Sequence, residues 1–137
     1  MIRPIVTDIF QLNRKAQPAT RADLPVARDL LDTLRANSDR CVGMAANMIG
    51  VNKRIIVVDL GLFPMAMLNP VITKRSPETY DTEEGCLSLP GQRPVTRHQS
   101  IEVEFQDMDL KKQRQTYSGF VAQIIQHEID HCEGILI

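Results

Sequence analysis

With 137 residues, 43% apolar and 24% charged, the chain has the size and balance of a single globular domain rather than of a disordered segment. Its 16 Lys and Arg stand against 17 Asp and Glu, a formal charge of −1, so no basic excess marks a nucleic-acid partner. No apolar run is long enough to span a bilayer, and with no Trp and 4% aromatics the core must be aliphatic. The N-terminal stretch is broken by Arg3, Pro4 and Asp8 and lacks the apolar run of a secretory signal, so a cytoplasmic location is expected. Cys41, Cys86 and Cys132 are too few and scattered for a disulfide framework and read as reduced thiols, chemically available to a metal.

The elements follow in chain order. Thr20 and Asp23 resemble a capping box, after which Ala27, Leu30, Leu31 and Leu34 recur at helical spacing until Asn37-Ser38-Asp39 ends the run. Cys41–Gly50 reads as an extended piece followed by a short helical turn. Arg54–Leu60, rich in β-branched residues, reads as a buried strand. Ala66–Thr73 is a further extended stretch broken at Asn69-Pro70. Ile101–Gln106 alternates apolar and charged residues, as a half-buried antiparallel strand does. The polar Asp107–Arg114 segment predicts a turn, with a return strand over Gln115–Ser118. Phe120–Cys132 predicts a helix with Phe120, Ile124 and Ile125 on its apolar side. Strands in the middle and helices at both ends make an α+β fold.

The chemistry concentrates near the C-terminus. His127-Glu128-Ile129-Asp130-His131 is an H-E-x-x-H pattern, and it holds two of the three histidines in the chain. On a helix, residues four apart share a face, so both imidazoles can reach one metal ion with Glu128 beside them as a general base. A catalytic site of this kind takes three protein ligands. Glu133 lies too close on the same helix to be the third, which leaves an upstream donor. Cys86, in Glu84-Gly85-Cys86-Leu87-Ser88, is the best candidate; its surroundings suggest a strand end.

Together, E-G-C-L-S and Q-H-E-x-D-H resemble the peptide deformylase family. Cys41-Val42-Gly43-Met44-Ala45-Ala46-Asn47-Met48 is similar to a third family motif, G-φ-G-φ-A-A-x-Q with φ apolar, and Ile2–Val6 and Lys15–Ala19 are also family-like. The resemblance covers nearly the whole chain. It implies strands packed around a central C-terminal metal-binding helix. The implied activity is removal of the N-formyl group from formylmethionyl peptides of newly made proteins, with release of formate. Cys86, His127 and His131 would hold a divalent ion, Fe(II) first and Zn(II) or Ni(II) as substitutes, and Glu128 would shuttle the proton. The implied partners are formylated peptide N-termini, including nascent chains at the ribosome, and the implied state is a monomer.

The same resemblance assigns Leu87 as a backbone donor to the reacting oxygen and Arg93 as a substrate contact, while Gly43 and Gly85 would let the substrate's backbone pair as an added strand. Asp130 would orient the ligands. Two motif positions depart from the family. Cys41 stands where the first glycine would be, and Met48 stands where a glutamine amide would donate to the oxyanion. A thioether donates no hydrogen bond, and losing one such donor costs roughly 10²–10³ in rate. Adjacent Asn47 carries an amide that a backbone shift would bring into play, although neighbouring helical side chains diverge by about 100°. The alternatives are a metallopeptidase and a weakly active or non-catalytic paralogue that binds metal or peptide. The chain also stops at Ile137, whereas relatives commonly continue past the metal helix.

Overall fold

The computed structural model describes residues 1–61 and 63–137. Among the described residues, three α-helices, α1 (Ile9–Leu12), α2 (Leu24–Ala36) and α3 (Gly119–Cys132), accompany seven strands. The strands are β1 (Gly43–Ala45), β2 (Ile55–Asp59), β3 (Pro64–Arg75), β4 (Thr79–Cys86), β5 (Leu89–His98), β6 (Ser100–Gln106) and β7 (Lys112–Ser118). All strand pairings are antiparallel. They form one sheet in the order β1-β2-β3-β6-β7 and a separate β4-β5 hairpin.

The unbroken apolar run Ile55-Ile56-Val57-Val58 explains the layering. Side chains alternate across a strand, and here both faces are covered. Ile55 and Val57 pack with Ala27, Leu30 and Leu34 of α2. Ile56 and Val58 pack with Ala122, Ile124, Ile125 and Ile129 of α3. Burying each Ile or Val contributes about 1.5–3 kcal/mol, so β2 binds the two helices to opposite faces of one sheet. The β4-β5 hairpin closes over the far side of α3 through Gln126, whose amide bonds both the N–H and the C=O of His98.

Several local expectations need correction. β3 runs continuously through Asn69-Pro70 instead of breaking there, with a register shift between Leu68 and Val71. Asn69 takes a left-handed φ of 54°, and its amide is bonded to both backbone groups of Ala19 and to Gln106. β7 begins at Lys112 rather than Gln115, because Asp107 alone organises a tight turn by accepting from the N–H groups of Asp109 and Lys111. Phe120 is not on the buried side of α3 with Ile124 and Ile125; it is 61% exposed at the mouth of the main pocket. Thr20 and Asp23 do cap the approach to α2, Thr20 N–H donating to the Asp23 carboxylate at 2.8 Å.

Candidate metal centre and active site

α3 turns His127, Glu128 and His131 inward, and all three are buried. The hairpin tip brings Cys86 to them, since β4 ends at that residue and β5 starts at Leu89. The two Nε2 atoms are 3.2 Å apart, and Cys86 Sγ is 3.5 Å from His131 Nε2. All three donor atoms lie within 4.8 Å of one another. Tetrahedral coordination with ordinary metal–nitrogen and metal–sulfur bonds needs about 3.4 Å between nitrogens and about 3.6 Å from nitrogen to sulfur. The donor set therefore fits a metal ion in spacing as well as in chemistry.

Glu84 sets the direction of the first histidine. Strand alternation puts Glu84 on the same face as Cys86, and its Oε1 accepts from His127 Nδ1 at 2.7 Å, leaving the Nε2 lone pair for a ligand. Arg97 of β5 grips Glu84 with Nε at 3.1 Å and Nη2 at 2.6 Å, and Asp130 with Nη1 at 2.6 Å. A buried charge of this kind persists because each member is paired. Asp130 thus acts on the site through Arg97. Sequence reading passed over Arg97 and did not single out Glu84, although the place of Glu84 two residues before Cys86 on a strand was a usable signal.

Electrostatics follow from this arrangement. Burial disfavours a charged Glu84, but hydrogen bonds from His127 and Arg97 outweigh it and hold the carboxyl at about 2. Burial likewise opposes a charged His127, yet Cys86, Glu128 and Glu84 push it up to about 10. The field at that nitrogen therefore favours positive charge. Burial, with the repulsion of His127 and Arg97, lowers His131 to about 3. Glu128, 4% exposed, is raised by burial to about 7, against the pull of His127, and its Oε1 has no protein partner.

A cavity of about 960 Å³ opens beside these residues, lined among others by Gly43, Met48, Gly85, Leu87, His127 and Glu128. Gly43 is forced by close approach. A Cβ there would stand 2.7 Å from Ile124 Cγ2 and 2.9 Å from Glu128 Oε2. Met48 lines the cavity at 1% exposure, so the glutamine position of the motif faces the site with a thioether. Asn47 does not replace it. Its Nδ2 donates to the carbonyls of His131, at 3.0 Å, and Leu12, at 3.4 Å, and its side chain is absent from the cavity wall. Arg93 is also outside the wall, because its guanidinium turns back to Pro90 O at 2.8 Å and braces the turn after Cys86. Cys41 reaches the wall, but its thiol donates to Gly43 O at 2.9 Å and burial pushes it up to about 12. His98, the remaining histidine, is half-buried away from this centre, with Nδ1 2.8 Å from Ser76 O.

Comparison with known proteins gives this geometry its context. Residues 2–137 match the family described as polypeptide deformylase. The chain belongs to the polypeptide deformylase family. A peptide deformylase of Clostridium beijerinckii is 54% identical over 137 residues, covering 100% of both chains. One from Dictyoglomus turgidum is 39% identical over 140 residues, covering 99% of this chain and 88% of its own. Among solved structures, the deformylase of Thermotoga maritima superposes with a TM-score of 0.89 at 32% identity, covering 99% of this chain and 94% of its own. An Acinetobacter baumannii class I type b deformylase with Met-Ala-Ser bound superposes at 0.89 with 29% identity, covering 99% and 97%. The deformylases are metal-dependent hydrolases that take the formyl group from peptide N-termini, and membership makes this chain such an enzyme rather than a scaffold that only binds. No helix among the described residues is long and apolar enough to cross a membrane.

Proposed function

We propose that the chain deformylates formylmethionyl peptides of newly made proteins at the centre formed by Cys86, His127, His131 and Glu128. The observation that carries this reading is the convergence of one thiol and two imidazole nitrogens beside a buried carboxylate whose Oε1 lacks a protein partner. Cys86, His127 and His131 would hold one divalent ion, with Fe(II) the native metal and Zn(II) or Ni(II) able to substitute, since this donor set suits all three. When bound, the ion supplies Lewis acidity that polarises a carbonyl and acidifies water.

The protein's own groups do the rest. Glu128 removes a proton from the attacking water and returns one to the leaving amine. Leu87 N–H donates to the oxygen of the formyl group as charge gathers there. β1 is an edge of the large sheet and β4 has an open side, and Gly43 and Gly85 line the pocket from those edges. An extended peptide pairs with such edges through main-chain hydrogen bonds. The Acinetobacter relative with Met-Ala-Ser bound supports a peptide as occupant. The substrates would be nascent chains at the ribosome, met by a cytoplasmic monomer.

The test follows formate release from formyl-Met-Ala-Ser and acetate release from acetyl-Met-Ala-Ser by the Fe(II)-loaded chain under anaerobic conditions. Release from the formyl peptide with the acetyl peptide left intact supports the reading. Equal cleavage of both, or cleavage inside the peptide, overturns it.

A further inference from the structure

Glu84 has more donors than His127 and Arg97. Gln123, on α3 four residues before His127, leaves the same helix face one turn earlier. Its Nε2 donates to Glu84 Oε2 at 2.9 Å, and its Oε1 accepts from the Tyr80 hydroxyl of β4 at 2.9 Å. Glu84 Oε1 therefore receives Arg97 Nη2 and His127 Nδ1, while Oε2 receives Arg97 Nε and Gln123 Nε2. Each carboxylate oxygen offers about two acceptor sites, so Gln123 fills the last one. Glu84 can only accept, which requires the amide nitrogen to face it. The amide oxygen is then left for Tyr80. Gln123 also lines the substrate cavity.

We propose that Gln123 is a positioning residue for the metal centre, fixing through Glu84 the direction in which His127 Nε2 points, with Tyr80 fixing Gln123 in turn. The inference rests on the reading that His127 holds the metal. Without Gln123, one acceptor site of Glu84 is empty on the side facing the pocket, and the carboxylate can rotate about its grip on Arg97. His127 follows, because its Nδ1–H is bonded to the same carboxylate.

The test uses Co(II)-loaded full-length chain and three variants, Gln123→Met, Glu84→Gln and the double variant, with Tyr80→Phe as a milder arm. The readouts are the visible Co(II) spectrum, the rate of Co(II) transfer to a chelator, and kcat and KM separately. Gln123→Met should release Co(II) on the order of tenfold faster, the lower end of what losing a partner around a metal-binding histidine costs. It should also alter the Co(II) spectrum and lower kcat. In the Glu84→Gln background the same change should add nothing, because the two residues act through one route. Tyr80→Phe should move the same readouts less, and it carries the cycle if Gln123→Met does not fold. Wild-type spectrum, release rate and kcat in Gln123→Met, with only KM changed, would overturn the proposal and leave Gln123 a pocket wall. Additive effects with Glu84→Gln overturn it too. A wild-type chain that takes up no Co(II) refutes the metal-centre reading itself, which separates the two failures.

Discussion

Gly43→Ala tests the geometry of the site with a single methyl group. The added Cβ would meet Ile124 Cγ2 at 2.7 Å and Glu128 Oε2 at 2.9 Å, where carbon contacts settle at about 3.5–4.0 Å. β1 cannot easily retreat, because Gly43, Met44 and Ala45 pair with Val58, Val57 and Ile56 of the buried strand β2. The strain therefore moves Ile124 and Glu128 on α3, by about 1 Å if contacts of that size are to be restored. Overpacking of this kind costs about 1–3 kcal/mol in stability, and misplacing a reacting group by about 1 Å costs roughly 10²-fold in rate. Urea unfolding and kcat/KM for formate release, measured on the same preparation, give both numbers. The expected result is a modest loss of stability with a disproportionate loss of kcat. A variant that loses the stability but keeps wild-type kcat would refute the argument, since Glu128 would then tolerate displacement.

Other outcomes follow from individual groups. Glu84 is held at about 2 against an ordinary 4.5, so its contribution to stability is full above about pH 4.5 and is lost as pH falls toward 2. Glu84→Gln, studied metal-free by urea unfolding from pH 6 to pH 3, should flatten that acid-side decline, and an unchanged slope contradicts the pairing. Met48→Gln restores an amide at a position that lines the cavity. Because the Asn47 amide is spent on His131 and Leu12, kcat should rise by at least tenfold and by at most the roughly 10²–10³ that one oxyanion donor is worth. No gain would mean that the backbone donors suffice. Burial pushes the Cys41 and Cys132 thiols up to about 12, so iodoacetamide at pH 8 should modify Cys86 first in the metal-free native chain. Bound metal should protect that residue, and equal labelling of all three thiols would contradict the assignment.

Much of this arrangement was legible because it is periodic. Helical spacing put His127 and His131 on one face with Glu128 beside them, and the apolar run from Ile55 to Val58 announced a strand buried on both sides. The β4-β5 hairpin was harder to see. Its residues are mostly exposed or half-exposed and few are apolar, so its strands lack the alternation that marks Ile101–Gln106. They are held instead by register with each other and by Arg97 and Gln126 against α3. The same reason hid Arg97, an arginine in a segment with no pattern, whose role exists only once Glu84 and Asp130 converge on it from a strand and a helix. Phe120 shows the opposite error. Its helical spacing matches Ile124, but one turn nearer the helix start the sheet no longer covers that face. Asn47 and Met48 were separable only by direction, which a short turn of helix decides and composition does not.

The central claim is that Glu128 moves the proton while Cys86, His127 and His131 hold the metal. The direct measurement is metal content and formate release in parallel for the Fe(II)-loaded wild type, Glu128→Ala and Cys86→Ala, prepared anaerobically. Glu128→Ala should retain one metal ion per chain and lose turnover by roughly 10²–10⁴, the range of a positioned general base, whereas Cys86→Ala should lose both. Full turnover in Glu128→Ala, or a full complement of metal in Cys86→Ala, would contradict the account.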